Sequence, residues 1–199
     1  MVIIGASGHA KVIHDILQLS NIHLDYFYDD KKLVSVNGIE VKSPINLIPK
    51  NTKAIIGIGN NRLRKYLVGC YPSLIYQTAF HPKSIIDNSV TVSIGTVVMA
   101  SATVNNSTSI GAHCIINTSS IIDHDCKVND FVHISPGATL CGGVQVGLGS
   151  NIGANSVIIP NIKIGKWVSI GAGCVIINDI PDYAVVVGNP GKIIKYNEK

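Results

Sequence analysis

The sequence predicts two units in series. A small α/β domain with a parallel sheet occupies residues 1–76, an all-β solenoid occupies 80–180, and a tail or cap follows at 181–199. Three observations predict this. An apolar residue stands at every sixth position from Phe80 to Ile176, seventeen in succession. Four places after each comes a small or β-branched residue, from Ser84 to Ile180. Ahead of residue 77 the texture differs, with short β-branched runs alternating with helical stripes. A period of six fits neither a helix nor a plain strand, whose periods are 3.6 and 2. A fixed repeat marks stacked units that bury their apolar residues only against one another.

Val2-Ile3-Ile4 reads as a short buried strand. Val12, Ile13, Ile16, Leu17 and Leu19 form a helical stripe over Lys11 to Leu19. Leu24 to Tyr28 is a second strand, Ala54 to Ile58 a third, Arg62 to Val68 a helix, and Ser73 to Tyr76 a fourth strand. Strand and helix in alternation suggest a small Rossmann-like parallel sheet. Ligands of such sheets collect at the carboxyl ends of the strands. Three loops leave those ends: Gly5-Ala6-Ser7-Gly8-His9, Asp29-Asp30 and Gly59-Asn60-Asn61. The first has small residues leading into a helix N-terminus, as phosphate-cradling turns do. It lacks the GxGxxG dinucleotide pattern, because Ser7 takes the place of the second glycine. A plain strand-to-helix turn is the alternative. Three suitable loops converging favour a small nucleotide-like ligand.

Register along the solenoid sorts the remaining side chains. Cys114, Cys126 and Cys174 take the small inward position and read as core residues, not nucleophiles. Cys70 and Cys141 carry no mark of reactivity. His124, in Ile122-Asp123-His124-Asp125-Cys126, takes an outward or corner position beside carboxylates. An outward imidazole so flanked suits a general base, with a carboxylate fixing its tautomer. An exposed polar turn is the bland alternative. His133 lies nine residues on. His81 and His113 are expected at the surface. Gly142, in Cys141-Gly142-Gly143, lies eighteen residues beyond His124. Its lack of a side chain leaves room for a substrate, and its N–H suits a developing oxyanion.

Composition excludes several classes. The chain has 199 residues, 46% apolar and 14% charged, with a formal charge of +4. It is not a disordered chain, and without a basic run nucleic acid is not an expected partner. No apolar stretch is long enough for a membrane span. Five cysteines without CxxC spacing, and an N-terminus that reads as a strand, point to the cytoplasm.

The hexads resemble those of the hexapeptide-repeat acyltransferases, whose fold is a left-handed parallel β-helix with three hexads per coil. That coil length implies that Gly142 stacks directly over His124, and that His133, half a coil on, faces another side, so the two histidines meet only across a subunit interface. The resemblance extends to Gly5-Ala6-Ser7-Gly8-His9, Gly59-Asn60-Asn61-Arg62, Ile116-Asn117-Thr118-Ser119-Ser120, Ile122-Asp123-His124-Asp125-Cys126 and Gly188-Asn189-Pro190-Gly191-Lys192. Together these look like the bacterial sugar acetyltransferases of the PglD and NeuD types. The resemblance implies a homotrimer with acetyl-CoA held between solenoids, and no metal. It implies an N-acetyltransferase of nucleotide-linked amino sugars, of the 4-amino-4,6-dideoxy kind, in surface-glycan synthesis. O-acetylation of sialic acid is the alternative. It implies His124 as base with Asp125 behind it; Gly142, stacked over that ring, is the expected oxyanion donor. Cofactor contacts are expected from His133, Gly142, Gly143, Ile152, Gly153 and Gly171. Acceptor contacts are expected from Gly5, Ala6, Ser7, Gly8, His9, Asp29, Asp30, Gly59, Asn60 and Asn61. Asp125 stands where some members carry Glu. Two other classes compete on the residues alone. A β-helix zinc enzyme needs three converging histidines, of which His124 and His133 supply two. A structural or ice-binding solenoid needs a regular outward ladder, and the outward positions here are irregular.

Overall fold

The computed structural model describes residues 1–31 and 34–198; Lys199 of the expected cap lies outside them. The first domain is a six-stranded sheet in the order β3-β4-β2-β1-β5-β6. Its strands are β1 (Val2–Ile4), β2 (Tyr26–Tyr28), β3 (Ser35–Val36), β4 (Ile39–Lys42), β5 (Lys53–Ile56) and β6 (Ile75–Tyr76), with helices α1 (Gly8–Leu19) and α2 (Asn61–Cys70). All pairings are parallel except β3 with β4. That hairpin goes beyond the sequence reading. It turns at Asn37-Gly38, both with positive φ, the pair that two-residue hairpin turns favour.

Seventeen two-residue strands follow, β7 (Ala79–Phe80) to β23 (Val175–Ile176), one per hexad. Each pairs in parallel with the strand eighteen residues on, so three flat sheets close a prism. The leading residues from Val98 onward point inward and are buried, as are the small residues from Thr96. Phe80 departs from the inward expectation and is 42% exposed, with Ile86 and Val92 half-buried. No coil lies beneath the first one to cover them, and a repeat without a neighbour cannot bury its face. The far end is covered instead. There β24 (Ala184–Val187) extends the first sheet and β25 (Lys192–Tyr196) folds back on it antiparallel.

The two domains pack on one another. Ile3, Ala6, Ala10 and Ile13 share a core with Ala79, Val97, Met99 and Ile115, which face outward from the lower coils of that sheet. This corrects the reading of His113 as a surface residue. It is 4% exposed, stacked on Phe131 with ring centroids 5.2 Å apart and edge-on to Tyr76. Periodicity places a side chain inside or outside the prism but is silent on what docks outside. His81 is half-buried, and its Nδ1 accepts the Lys83 N–H.

Candidate active site

The corner after β14 (Ile121–Ile122) carries Asp123, His124 and Asp125. His124 Nδ1 lies 2.7 Å from Asp125 Oδ2. A carboxylate only accepts, so Nδ1 carries the proton and Nε2 is left as the basic nitrogen. Asp125 has φ +58, a left-handed corner that turns its short side chain back onto the ring. Asp123 Oδ1 accepts both the His124 N–H and Asn105 Nδ2, each at 2.8 Å. The Asp125 hydrogen bond, followed by the Asp123 charge, raises the His124 pKa above its usual value. Asp123 is itself held below the usual carboxylate range by Asn105 and the His124 N–H.

Gly142 stands over His124, where stacking by eighteen residues puts it. A Cβ at Gly142 would lie 2.6 Å from both Cε1 and Nε2 of the ring, so only glycine leaves the imidazole its place. Its N–H has no acceptor among the described residues. The equivalent residue one coil on is Pro160, which has no N–H at all; the corner does not need one there. Gly143 differs, since its N–H donates to the His124 carbonyl at 2.9 Å. The cleft beside these residues has a volume of about 350 Å³ and is closed by Cys141, Pro160 and Asn161.

The other expected cofactor contacts lie elsewhere on the prism. Ile152 has 0% exposure and points into the core, which corrects its expectation as a side-chain contact. Gly153 lies so close to Gly171 that an added Cβ would be 2.5 Å from its backbone, which is a packing reason for glycine. His133 opens β16 (His133–Ile134) on the sheet that carries the α/β domain. Its Nε2 is 2.9 Å from Asn117 Nδ2 and so accepts, which fixes the neutral ring. Burial, followed by the charges of Arg64 and His9, pushes its pKa down to about 3. Within one chain it shares no cleft with His124. Among the described residues no three His, Cys, Asp or Glu side chains come together as a metal site.

The three sheet loops lie side by side, because β2, β1 and β5 are adjacent and parallel. Asp29 joins two of them, its carboxylate accepting the N–H of Ala6 at 2.8 Å and of Lys31 at 2.9 Å. Asp30 accepts the Ile45 N–H at 3.0 Å. Gly5 has φ +103 and presses on the Gly57 carbonyl, a close approach that needs glycine. Ser7 and Gly8 are exposed at the start of α1. His9 is half-buried, and burial with the Arg64 charge pushes its pKa down to about 4. Asn60 caps α2 by accepting the Leu63 N–H at 2.9 Å, and Asn61 Nδ2 donates to the Gly149 and Ser150 carbonyls. Both amide side chains are therefore engaged within the protein. Beside this loop a cavity of about 720 Å³ opens between the domains, bounded by Arg62, Asn151, Trp167 and the C-terminal segment.

One feature here escaped the sequence reading. Arg64 is buried and binds both domains, and nothing in a helical stripe marks a buried arginine. Cys114 and Cys126 conform to it: burial raises their pKa values to about 12 and about 11, so both stay thiols.

Residues 1–69 match the PglD N-terminal domain family. The acetyltransferase domain of PglB from Neisseria gonorrhoeae FA1090 is 34% identical, with 97% of this chain and 98% of that one covered, at a TM-score of 0.92. It is also known in complex with acetyl coenzyme A. PerB from Caulobacter crescentus, in complex with CoA and GDP-perosamine, is 33% identical over 98% and 96% of the two chains, at a TM-score of 0.93. WeeI from Acinetobacter baumannii AYE is 25% identical over 97% and 98%, at a TM-score of 0.88. Identity at this level over the whole length, with both domains in the same relation, carries more than a shared solenoid would: the chain belongs to the PglD-type family of hexapeptide-repeat acetyltransferases and has its left-handed parallel β-helix.

Proposed function

We propose that the protein transfers an acetyl group from acetyl-CoA to the amine of a nucleotide-linked 4-amino-4,6-dideoxy-type sugar. The observation that carries the reading is the His124 ring, pinned by Asp125 at 2.7 Å with Nε2 turned toward the side-chain-free backbone of Gly142. Nε2 takes a proton from the acceptor amine as its nitrogen bonds to the acetyl carbon. The carbon–sulfur bond breaks, and the imidazolium returns its proton to the departing thiolate. The free Gly142 N–H donates to the carbonyl oxygen as charge gathers on it. No covalent bond to the enzyme is required, since a thioester is already activated. A cleft of about 350 Å³ suits the acetyl end of the thioester and the amine; the rest of the carrier lies outside it.

A homotrimer supplies the remaining wall. Of the three prism faces, the one with Ile85, Thr103, Ile121, Thr139, Val157 and Val175 carries no charge outward. Ile85 is 66% exposed and Ile121 42%. The face with Lys127, Gln145 and Lys163 is polar, and the third is partly covered by the α/β domain. The His124 corner follows directly on the apolar face, so a partner there borders the site. The adjoining loops at Gly5–His9, Asp29–Asp30 and Gly59–Asn61 hold the nucleotide, through backbone N–H groups and the free lone pairs of Asp29 and Asp30.

Thiol release from acetyl-CoA with UDP-, dTDP- and GDP-linked 4-amino sugars and with sialic acid tests the reading. A nucleotide amino sugar should be turned over, and His124→Ala should lose at least ~10²-fold in kcat with an unchanged melting curve. Turnover of sialic acid alone would instead establish the O-acetyl reading.

A further inference from the structure

The loop that carries Gly59, Asn60 and Asn61 is fastened to the solenoid by an arginine that has no carboxylate beside it among the described residues. Arg64 is 1% exposed. Its five N–H donors all end on oxygen. Nε donates to the His113 carbonyl at 2.8 Å, and Nη1 to the Ile58 and Gly59 carbonyls at 2.9 and 3.2 Å. Nη2 donates to the Phe131 carbonyl at 3.0 Å and to Asn61 Oδ1 at 2.8 Å. Asn61 continues the line, its Nδ2 donating to the Gly149 and Ser150 carbonyls at 3.0 and 3.2 Å. His113, Phe131 and Gly149 follow one another at intervals of eighteen residues, one above the other on one edge of the prism. Arg64 and Asn61 together therefore grip three successive coils, and through Ile58 and Gly59 they hold the loop at one height.

Fastening two domains does not call for a charge. Apolar contact already joins them at Ala79, Val97 and Ile115, and a buried cation without a partner is costly. What a planar fork adds is direction, since its five donors fix the acceptors around it. We propose that Arg64 is a positioning residue for the acceptor: it sets the nucleotide-holding loop at the height on the solenoid from which a nucleotide diphosphate presents its sugar amine to a His124 imidazole. The inference rests on the acceptor reading above.

Steady-state kinetics on Arg64→Lys and Arg64→Gln test it, with the sole tryptophan, Trp167, as a second readout. Trp167 lies against α2, with Arg62 5.0 Å and Lys65 5.5 Å from its ring, so its emission reports the seam. A lysine cannot reach five acceptors. With the nucleotide amino sugar, kcat should fall about 10-fold or more, as a displaced substrate requires. Both KM values should stay within about threefold, and acrylamide quenching of Trp167 should increase. A kcat that does not move, or one that falls only with both KM values rising, would overturn the proposal. Should Arg64→Lys fail to fold, Arg64→Gln, which removes the buried charge and keeps a planar donor, decides alone. A wild-type enzyme that acetylates none of the panel defeats the acceptor reading instead, and the clamp then stands or falls on Trp167 quenching.

Discussion

Gly142→Ala adds one methyl group and should nearly silence the enzyme. The methyl would sit 2.6 Å from Cε1 and Nε2 of His124, closer by about 1 Å than the ~3.5 Å optimum for such contacts. Gly142 lacks the positive φ that would strain an alanine, so the backbone should hold and the ring should yield. The ring side chain is 55% exposed and free to swing outward. A swing of that size breaks the 2.7 Å bond to Asp125 or carries Nε2 away from the amine. Misplacement by about 1 Å costs on the order of 10²-fold in rate. The fold should lose under about 1 kcal/mol, which for a chain of this length lowers Tm by less than about 4 °C. Thiol release and differential scanning calorimetry measure the two sides. On a His124→Ala background the same substitution should cost nothing further, because the pair acts as one unit. Full activity in Gly142→Ala, or an equal loss with and without His124, would refute the vertical arrangement as the catalytic one.

Asp125→Asn should shift the rising limb of kcat/KM to lower pH and reduce its plateau. The base works as neutral imidazole, and the Asp125 hydrogen bond is the first cause of its raised pKa, so removing that bond lets the ring deprotonate earlier. Ile121→Lys should dissociate the assembly, read by sedimentation velocity, and abolish turnover while each subunit stays folded. The seam between the domains should be sensitive to acid. His9, His113 and His133 have pKa values pushed down to about 4, about 4 and about 3, chiefly by burial. For a histidine so depressed the unfolded chain binds the extra proton. Stability is then complete above the ordinary value near 6.5 and falls as pH drops from there toward 4. Trp167 emission should shift to the red over that interval, and His113→Phe, which keeps the stack on Phe131, should lessen the shift.

How much of this was legible in the sequence depends on whether the cause is local or remote. The period of six is imposed by each coil on its own residues, so it correctly placed Val98, Cys126 and Ile176 inside and His124 outside. Three hexads per coil, taken from the resemblance, also put Gly142 over His124. His113 defeats the same logic, because part of its cover comes from the other domain, from Tyr76 and from Arg64, which is 49 residues earlier in the chain. Arg64 is hidden for the same reason: its partners are mainly backbone carbonyls, which have no signature in sequence. Ile152 does not fit the expected cofactor contact, since the register itself places it inward. The Asn37-Gly38 turn is a hairpin signal, but its flanking strands of 2 and 4 residues are too short to show a period of two.

The pairing of a base on one coil with a bare backbone on the next has a consequence for how such a chain can change in length. Eighteen residues inserted above Gly149 or below His113 would lengthen the prism by one storey and leave the pair in register. Six residues inserted between His124 and Gly142 would turn every later corner by a third of a revolution and bring a different residue over the imidazole. Growth of the scaffold is thus quantised in whole coils, and the stretch from His113 to Gly149, where the Arg64 clamp and the active site overlap, has a fixed length.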